Sequence, residues 1–223
     1  MHRNLKCAAG IVLIHGVYLA AGWLFREAGV ALNLRWLWWN LFLAFVPVML
    51  ALPAVWLSAR RGHWGPCSLF LALVWLLFLP NSCYMVTDLI HLQGSQLIGG
   101  NGVYLQSLSG WIQLVYIAGG IFLALVDGLF STALIHQAVK WKKYPLFDGL
   151  WLTVISLLCG YGVYIGRFLR LNTWDVLRPR ELIPLLLQNI DRFTVLFSVM
   201  LAAFFGFALF VFEQVMRTGR NAG

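Results

Sequence analysis

The sequence predicts an all-α fold, a six-helix integral membrane bundle, and three observations carry that expectation. Apolar residues make up 61% of the 223, and only 11% are Asp, Glu, Lys or Arg, against roughly a quarter charged in a soluble domain. Mean hydropathy is +0.81. The apolar residues also gather into six runs, each near the roughly 20 helical residues that cross a bilayer. The runs lie at 7–25, 36–58, 66–86, 111–139, 149–170 and 193–212. Backbone polar groups in hydrocarbon must be bonded within the segment, so helices are expected, and the alternation of barrel strands is absent. The connections leave no room for a soluble domain, so 1–223 reads as a single membrane domain. A disordered chain, a secreted disulfide scaffold and a cytosolic enzyme core are all excluded. The formal charge of +8 is scattered between apolar runs, which argues against nucleic acid as a partner and for membrane lipids.

The first run follows Arg3 and Lys6, and Ala20, Ala21 and Gly22 mimic a signal cleavage site. It continues through Trp23, Leu24 and Phe25, so a retained helix is expected. Orientation follows from Lys and Arg. Nine lie on one side (Arg3, Lys6, Arg60, Arg61, Lys140, Lys142, Lys143, Arg217, Arg220) and seven on the other (Arg26, Arg35, Arg167, Arg170, Arg178, Arg180, Arg192). The connection 87–110 has no Lys or Arg and reads as external. Both termini are therefore expected in the cytoplasm. Cys7, Cys67, Cys83 and Cys159 show no metal-ligand spacing and read as buried thiols, so no metal or other cofactor is expected.

Polar groups inside such runs are expensive and therefore informative. The third run closes with Pro80, Asn81, Ser82, Cys83 and Tyr84, then Thr87, Asp88 and His91. Proline kinks or restarts a helix. If the chain is α-helical beyond it, Asn81, Tyr84, Asp88 and His91 share one face. Taken singly, Asn81 caps the break, Tyr84 joins an aromatic belt and the rest are solvated; four groups on one face favour a site. The fifth run ends Gly162, Gly166, Arg167, Arg170, Asn172, Thr173, Trp174, Asp175. The glycines admit a close neighbouring helix, and the two arginines share a face near a helix C-terminus. Snorkelling to lipid phosphate accounts for the arginines but not for the Asn-Thr-Trp-Asp cluster. The third and fifth spans run in the same direction, so the clusters emerge together. Arg167 and Arg170 then either pair with Asp88 and Asp175 or offer a fork of donors to phosphate or carboxylate.

The stretches Pro80-Asn81 to Tyr84 to Thr87-Asp88-Leu89, and Gly166-Arg167-Phe168 to Arg170 to Asn172-Thr173-Trp174-Asp175, resemble the two signatures of a family of small polytopic bacterial membrane proteins, domain of unknown function 1361. The similarity runs from about the second span to the end of the fifth. Ser82-Cys83 stands where the family usually has Ala-Pro, and Thr173 replaces a Ser. The resemblance implies a bacterial cytoplasmic (inner) membrane, a shared architecture and a shared site, without naming a reaction.

Asp127 lies inside the fourth run, about 24 Å along the helix from Trp111, too deep to snorkel easily. Gly120, Ala124, Gly128 and Ser131 form a small-residue seam around it. It is either a proton-carrying acid in a transport path or, the favoured reading, a neutral or hydrogen-bonded group joining helices. His15 is the nearest partner in kind.

Three functions compete. The first is a binding or accessory protein whose external site, built from Asn81, Tyr84, Asp88, His91, Arg167, Arg170, Asn172, Trp174 and Asp175, holds an anionic group such as a lipid headgroup. The second is an enzyme acting on a lipid-linked or phosphate-bearing substrate, with Asp88 or Asp175 as base and His91 as acid or base. It lacks a Ser or Cys nucleophile motif and a diagnostic metal set. The third is a small secondary transporter using Asp127, which has no detectable inverted repeat to support it. The glycine seams also allow a homo-oligomer.

Overall fold

The computed structural model describes residues 2–92, 97–99, 102–139 and 145–221. Lys140, Lys142 and Lys143, which weigh in the charge bias, lie outside the described residues, as do the side chains of Arg3, Arg217 and Arg220. The elements are α1 (His2–Glu27), α2 (Leu34–Arg61), α3 (Pro66–Phe78), α4 (Pro80–Tyr84), a 3-10 segment (Met85–Leu92), α5 (Leu108–Val139), α6 (Pro145–Phe168), a second 3-10 segment (Thr173–Leu177), α7 (Pro179–Gln188) and α8 (Arg192–Asn221). Six helical stretches are long and apolar enough to span: Asn4–Glu27, Leu34–Arg61, Pro66–Leu92, Leu108–Val139, Leu146–Phe168 and Arg192–Met216. The chain is an all-α, multi-pass membrane protein.

Five of the six spans extend past the apolar run that predicted them, because a helix does not stop where hydropathy falls; the fifth ends at Phe168, so Arg170, expected to share a helical face with Arg167, lies beyond the helix. At the end of the sixth, Glu213, placed outside by the run 193–212, is helical and buried. The connection after the fifth span also holds an element that the sequence reading lacked. The Pro179–Gln188 helix starts on proline, carries Glu181 in its first turn and leaves Ile183 and Leu187 exposed.

α6 packs along α8, and α2 packs along both α3 and α5. α4 touches α2, α5 and α6 and so joins the two groups. Glycine sets this geometry at two points. A Cβ on Gly160 would lie 2.1 Å from the backbone oxygen of Ser198, so α6 and α8 meet backbone to backbone there. A Cβ on Gly162 would lie 2.5 Å from the Pro80 ring, so the break in the third span is seated in a notch of α6. Ser82, next to that break, donates to the Ala44 carbonyl of α2 at 3.0 Å. The α5 seam takes up side chains in the same way: Tyr18 against Gly120, Ser82 against Gly128, and the Trp75 indole N–H on the Ser131 hydroxyl at 3.1 Å. Among the spans α1 is held least, with Val12, Leu13, Ile14 and Val17 all exposed.

Candidate functional site

The site grows out of the break at Pro80. Beyond it the chain makes one turn of α-helix and then continues as 3-10 over Met85–Leu92, not as the α-helix whose face was expected to align four polar groups. At three residues per turn, positions 85, 88 and 91 share a face, and Met85 and Asp88 are both wholly buried. Asn81 bridges the break, donating to the Phe78 carbonyl at 2.9 Å and to the Thr173 hydroxyl at 3.2 Å. It serves both as the cap and as a tie between the two polar stretches.

Both oxygens of Asp88 are occupied. Oδ1 accepts from Arg167 Nη2 at 2.5 Å and Oδ2 from the Asn40 amide at 3.0 Å. Arg167 also donates to the Thr87 hydroxyl through Nε at 2.9 Å and Nη2 at 2.5 Å, and its guanidinium lies 4.1 Å above the Tyr84 ring. The Thr87 hydroxyl in turn donates to the Tyr84 carbonyl at 2.7 Å. Gly166 makes room for that ring, which would lie 3.3 Å from a Cβ there. Groups from α2, α4, the 3-10 segment and α6 thus close on one ion pair, whose hydrogen bonds offset the cost of taking both charges out of water.

The remaining expected members sit around this clamp rather than in it. His91 Nε2 is 3.8 Å from Asp88, beyond hydrogen-bond reach, and its ring packs on Trp36 with centroids 4.3 Å apart. Asn172 and Asp175 form a capping box on the second 3-10 segment, and Asp175 pairs with Arg178 at 3.0 Å. Asp175 therefore does not neutralise Arg167 or Arg170. Arg170 is exposed, has φ +55° and has no carboxylate partner among the described residues; Trp174 is 46% exposed.

In the middle of the bundle, His15 Nε2 approaches Asp127 Oδ2 at 3.0 Å, which supplies the partner named from sequence. Both groups belong to this ion pair, which ties α1 to α5.

A third polar group was missed. His136 is wholly buried with Glu213 at Nδ1, Asp148 at Nε2 and the Trp151 ring stacked at 4.8 Å. A neutral imidazole has one N–H, so either the ring is an imidazolium or one carboxyl is protonated; the group bears net charge −1 in both cases. It ties α5 to α6 and α8. The available signal was weak: Ser131, Thr132 and His136 continue the polar line from Asp127 toward the end of α5. Among the described residues no cluster of His, Cys, Asp and Glu is arranged to hold a metal ion. The four cysteines are free; Cys83 and Cys159 are buried, whereas Cys67, expected to be buried, is exposed.

No curated protein and no solved structure matches the chain. A family model described as a protein of unknown function (DUF1361) matches residues 39–209 and so takes in Asn40, the whole Asp88–Arg167 clamp and Asp127. Because that match spans most of the sequence and every group of the clamp, the chain belongs to the DUF1361 family.

Proposed function

We propose that this is a binding or accessory protein of a bacterial cytoplasmic membrane, which holds an anionic group such as a lipid headgroup at the external ends of its third and fifth spans. The observation that carries the reading is how the clamp uses Arg167. Nε and Nη2 are committed to Thr87 and Asp88, and Nη1 has no protein acceptor among the described residues. The clamp orients the guanidinium and neutralises its charge, leaving two N–H groups for a further oxygen ligand.

Arg170, three residues on, adds an unneutralised charge held in the left-handed region at the helix end, a conformation uncommon outside glycine. The exposed Trp174, Ile183 and Leu187 at the same end favour a site at the lipid interface over one in solution. The occupied oxygens of Asp88 weigh against its use as a general base.

The test is native mass spectrometry of the purified full chain carrying Arg170→Ala together with Arg167→Lys, which keeps a charge beside Asp88 and removes the fork. Retained phosphatidylglycerol or cardiolipin should fall well below the wild-type level. Unchanged retention would sink the reading.

A further inference from the structure

The end of the bundle away from the clamp carries cations that the chain does not neutralise. On α2, Asn40 contacts the clamp, and Arg60 lies about 30 Å further along the same helix, a full hydrocarbon thickness away. Arg60 and Arg61 close α2, and Lys6 lies near the start of α1. All three are exposed, and none forms an ion pair among the described residues. The acids described at this end, Asp148 and Glu213, are both turned to the buried His136.

Below these cations, between α1, α2 and α5, runs a groove of about 290 Å³. Leu5, Leu52, Pro53 and Leu134 wall it, and Asn4 and Trp56 also line it. It is open on its outer side, where Leu5 is 50% and Trp56 39% exposed. The Arg60 guanidinium stands 5.4 Å above the Trp56 ring, which places a cation at the rim. From Arg60 the lining continues inward to Leu52, about 12 Å along the helix axis. A polar, cationic rim at a span end, a tryptophan at the interface and an apolar slot running inward follow the order of headgroup, glycerol region and acyl chain.

We propose that this groove binds an anionic phospholipid, with its phosphate on Arg60 and one acyl chain lying between α1 and α2. Charge selects the headgroup. A choline or ethanolamine headgroup adds an ammonium to an end that already holds Lys6, Arg60 and Arg61, whereas a glycerol headgroup leaves the phosphate charge unopposed. Charge also disfavours a second copy of this chain as the occupant, because it would bring the same three cations to the same level. The site is separate from the one proposed at the clamp and does not depend on it.

The experiment is photolabelling of the full chain in lipid nanodiscs with phosphatidylglycerol carrying a diazirine in one acyl chain, mapped by peptide mass spectrometry. Label should appear on residues 52–56, and unmodified phosphatidylglycerol should compete at least about fivefold better than phosphatidylcholine of the same chains. Arg60→Gln should lower the labelling about fivefold, the factor that one basic residue near a membrane surface contributes. Leu5→Trp fills the groove from its exposed side and should abolish the label with no change in thermal unfolding. Arg170→Ala with Arg167→Lys, which alters the clamp end, should label residues 52–56 as wild type does. The proposal is overturned if residues 52–56 take no label, if phosphatidylcholine competes equally, if Arg60→Gln labels like wild type, or if the label is lost in the clamp variant.

Discussion

Replacing Asp88 by Leu tests whether the clamp holds the third span to the fifth. Asp88 is wholly buried and the Arg167 side chain is 15% exposed, so solvent screens the pair little. Leucine in its place strands the guanidinium on the Thr87 hydroxyl and the Tyr84 ring and leaves the Asn40 amide without its acceptor. Removing one partner of a buried pair costs about 3–5 kcal/mol. At about 2–4 °C per kcal/mol for a chain of this size, the melting temperature should fall by about 6–20 °C. Removing both charges, as Asp88→Leu with Arg167→Met, leaves no charge stranded, only the half-buried Asn40 amide, and should recover most of the loss, since an apolar replacement of a buried pair is often neutral. Thermal unfolding of the four proteins in one detergent gives the cycle, with a coupling of at least about 2 kcal/mol expected. A loss under about 1 kcal/mol for Asp88→Leu, or a double variant that loses the sum of the two single losses, would refute the reasoning.

Gly162→Ala drives a methyl into the rigid Pro80 ring and should destabilise by about 1–3 kcal/mol, whereas Gly149→Ala, which meets nothing within 4 Å, should not; the same melts compare them. His136→Phe keeps a ring against Trp151 but leaves Asp148 and Glu213 facing an apolar edge; a loss of about 3 kcal/mol is expected, and a variant as stable as wild type would show that the three-group contact contributes nothing. At the start of α8, Asp191 accepts from the Thr194 backbone N–H at 2.7 Å, which holds its carboxyl below the ordinary aspartate range. A lowered folded value means the cap contributes fully above the ordinary aspartate value and is lost as pH falls through the lowered one, below about pH 4. Wild type should therefore lose more stability than Asp191→Asn on acidification across that window; parallel curves would count against the cap.

How much of the site was legible depended on whether a residue stood out from its neighbours. Asp88 and Arg167 stood out because charge is rare near the ends of apolar runs, and the parallel course of the third and fifth spans placed them at one end of the bundle. His15 was named beside Asp127 because it is a titratable group within another span. His136 and Glu213 passed unnoticed: each sits near the end of a run, where a lone polar residue looks interfacial, and only their joint burial distinguishes them. The 3-10 course of Met85–Leu92 and the short helix Pro179–Gln188 were hidden for a similar reason, since neither differs locally from a frayed helix end or a loop.

The number of spans, their approximate limits and the places where polar groups collect follow from the sequence alone. A backbone in hydrocarbon has no other way to satisfy itself than a helix of about 20 residues, and that requirement is local. Which arginine meets which aspartate is not local. Arg167 and Arg170 are three residues apart, yet one, in the last turn of α6, closes on Asp88 while the other, past the helix end, stays exposed, and Asp175 turns to Arg178 instead. That choice depends on the rotation and depth of each helix, which are set where Pro80 seats against Gly162 and where α6 meets α8 at Gly160. The same packing brings His15 of α1 within 3.0 Å of Asp127 of α5.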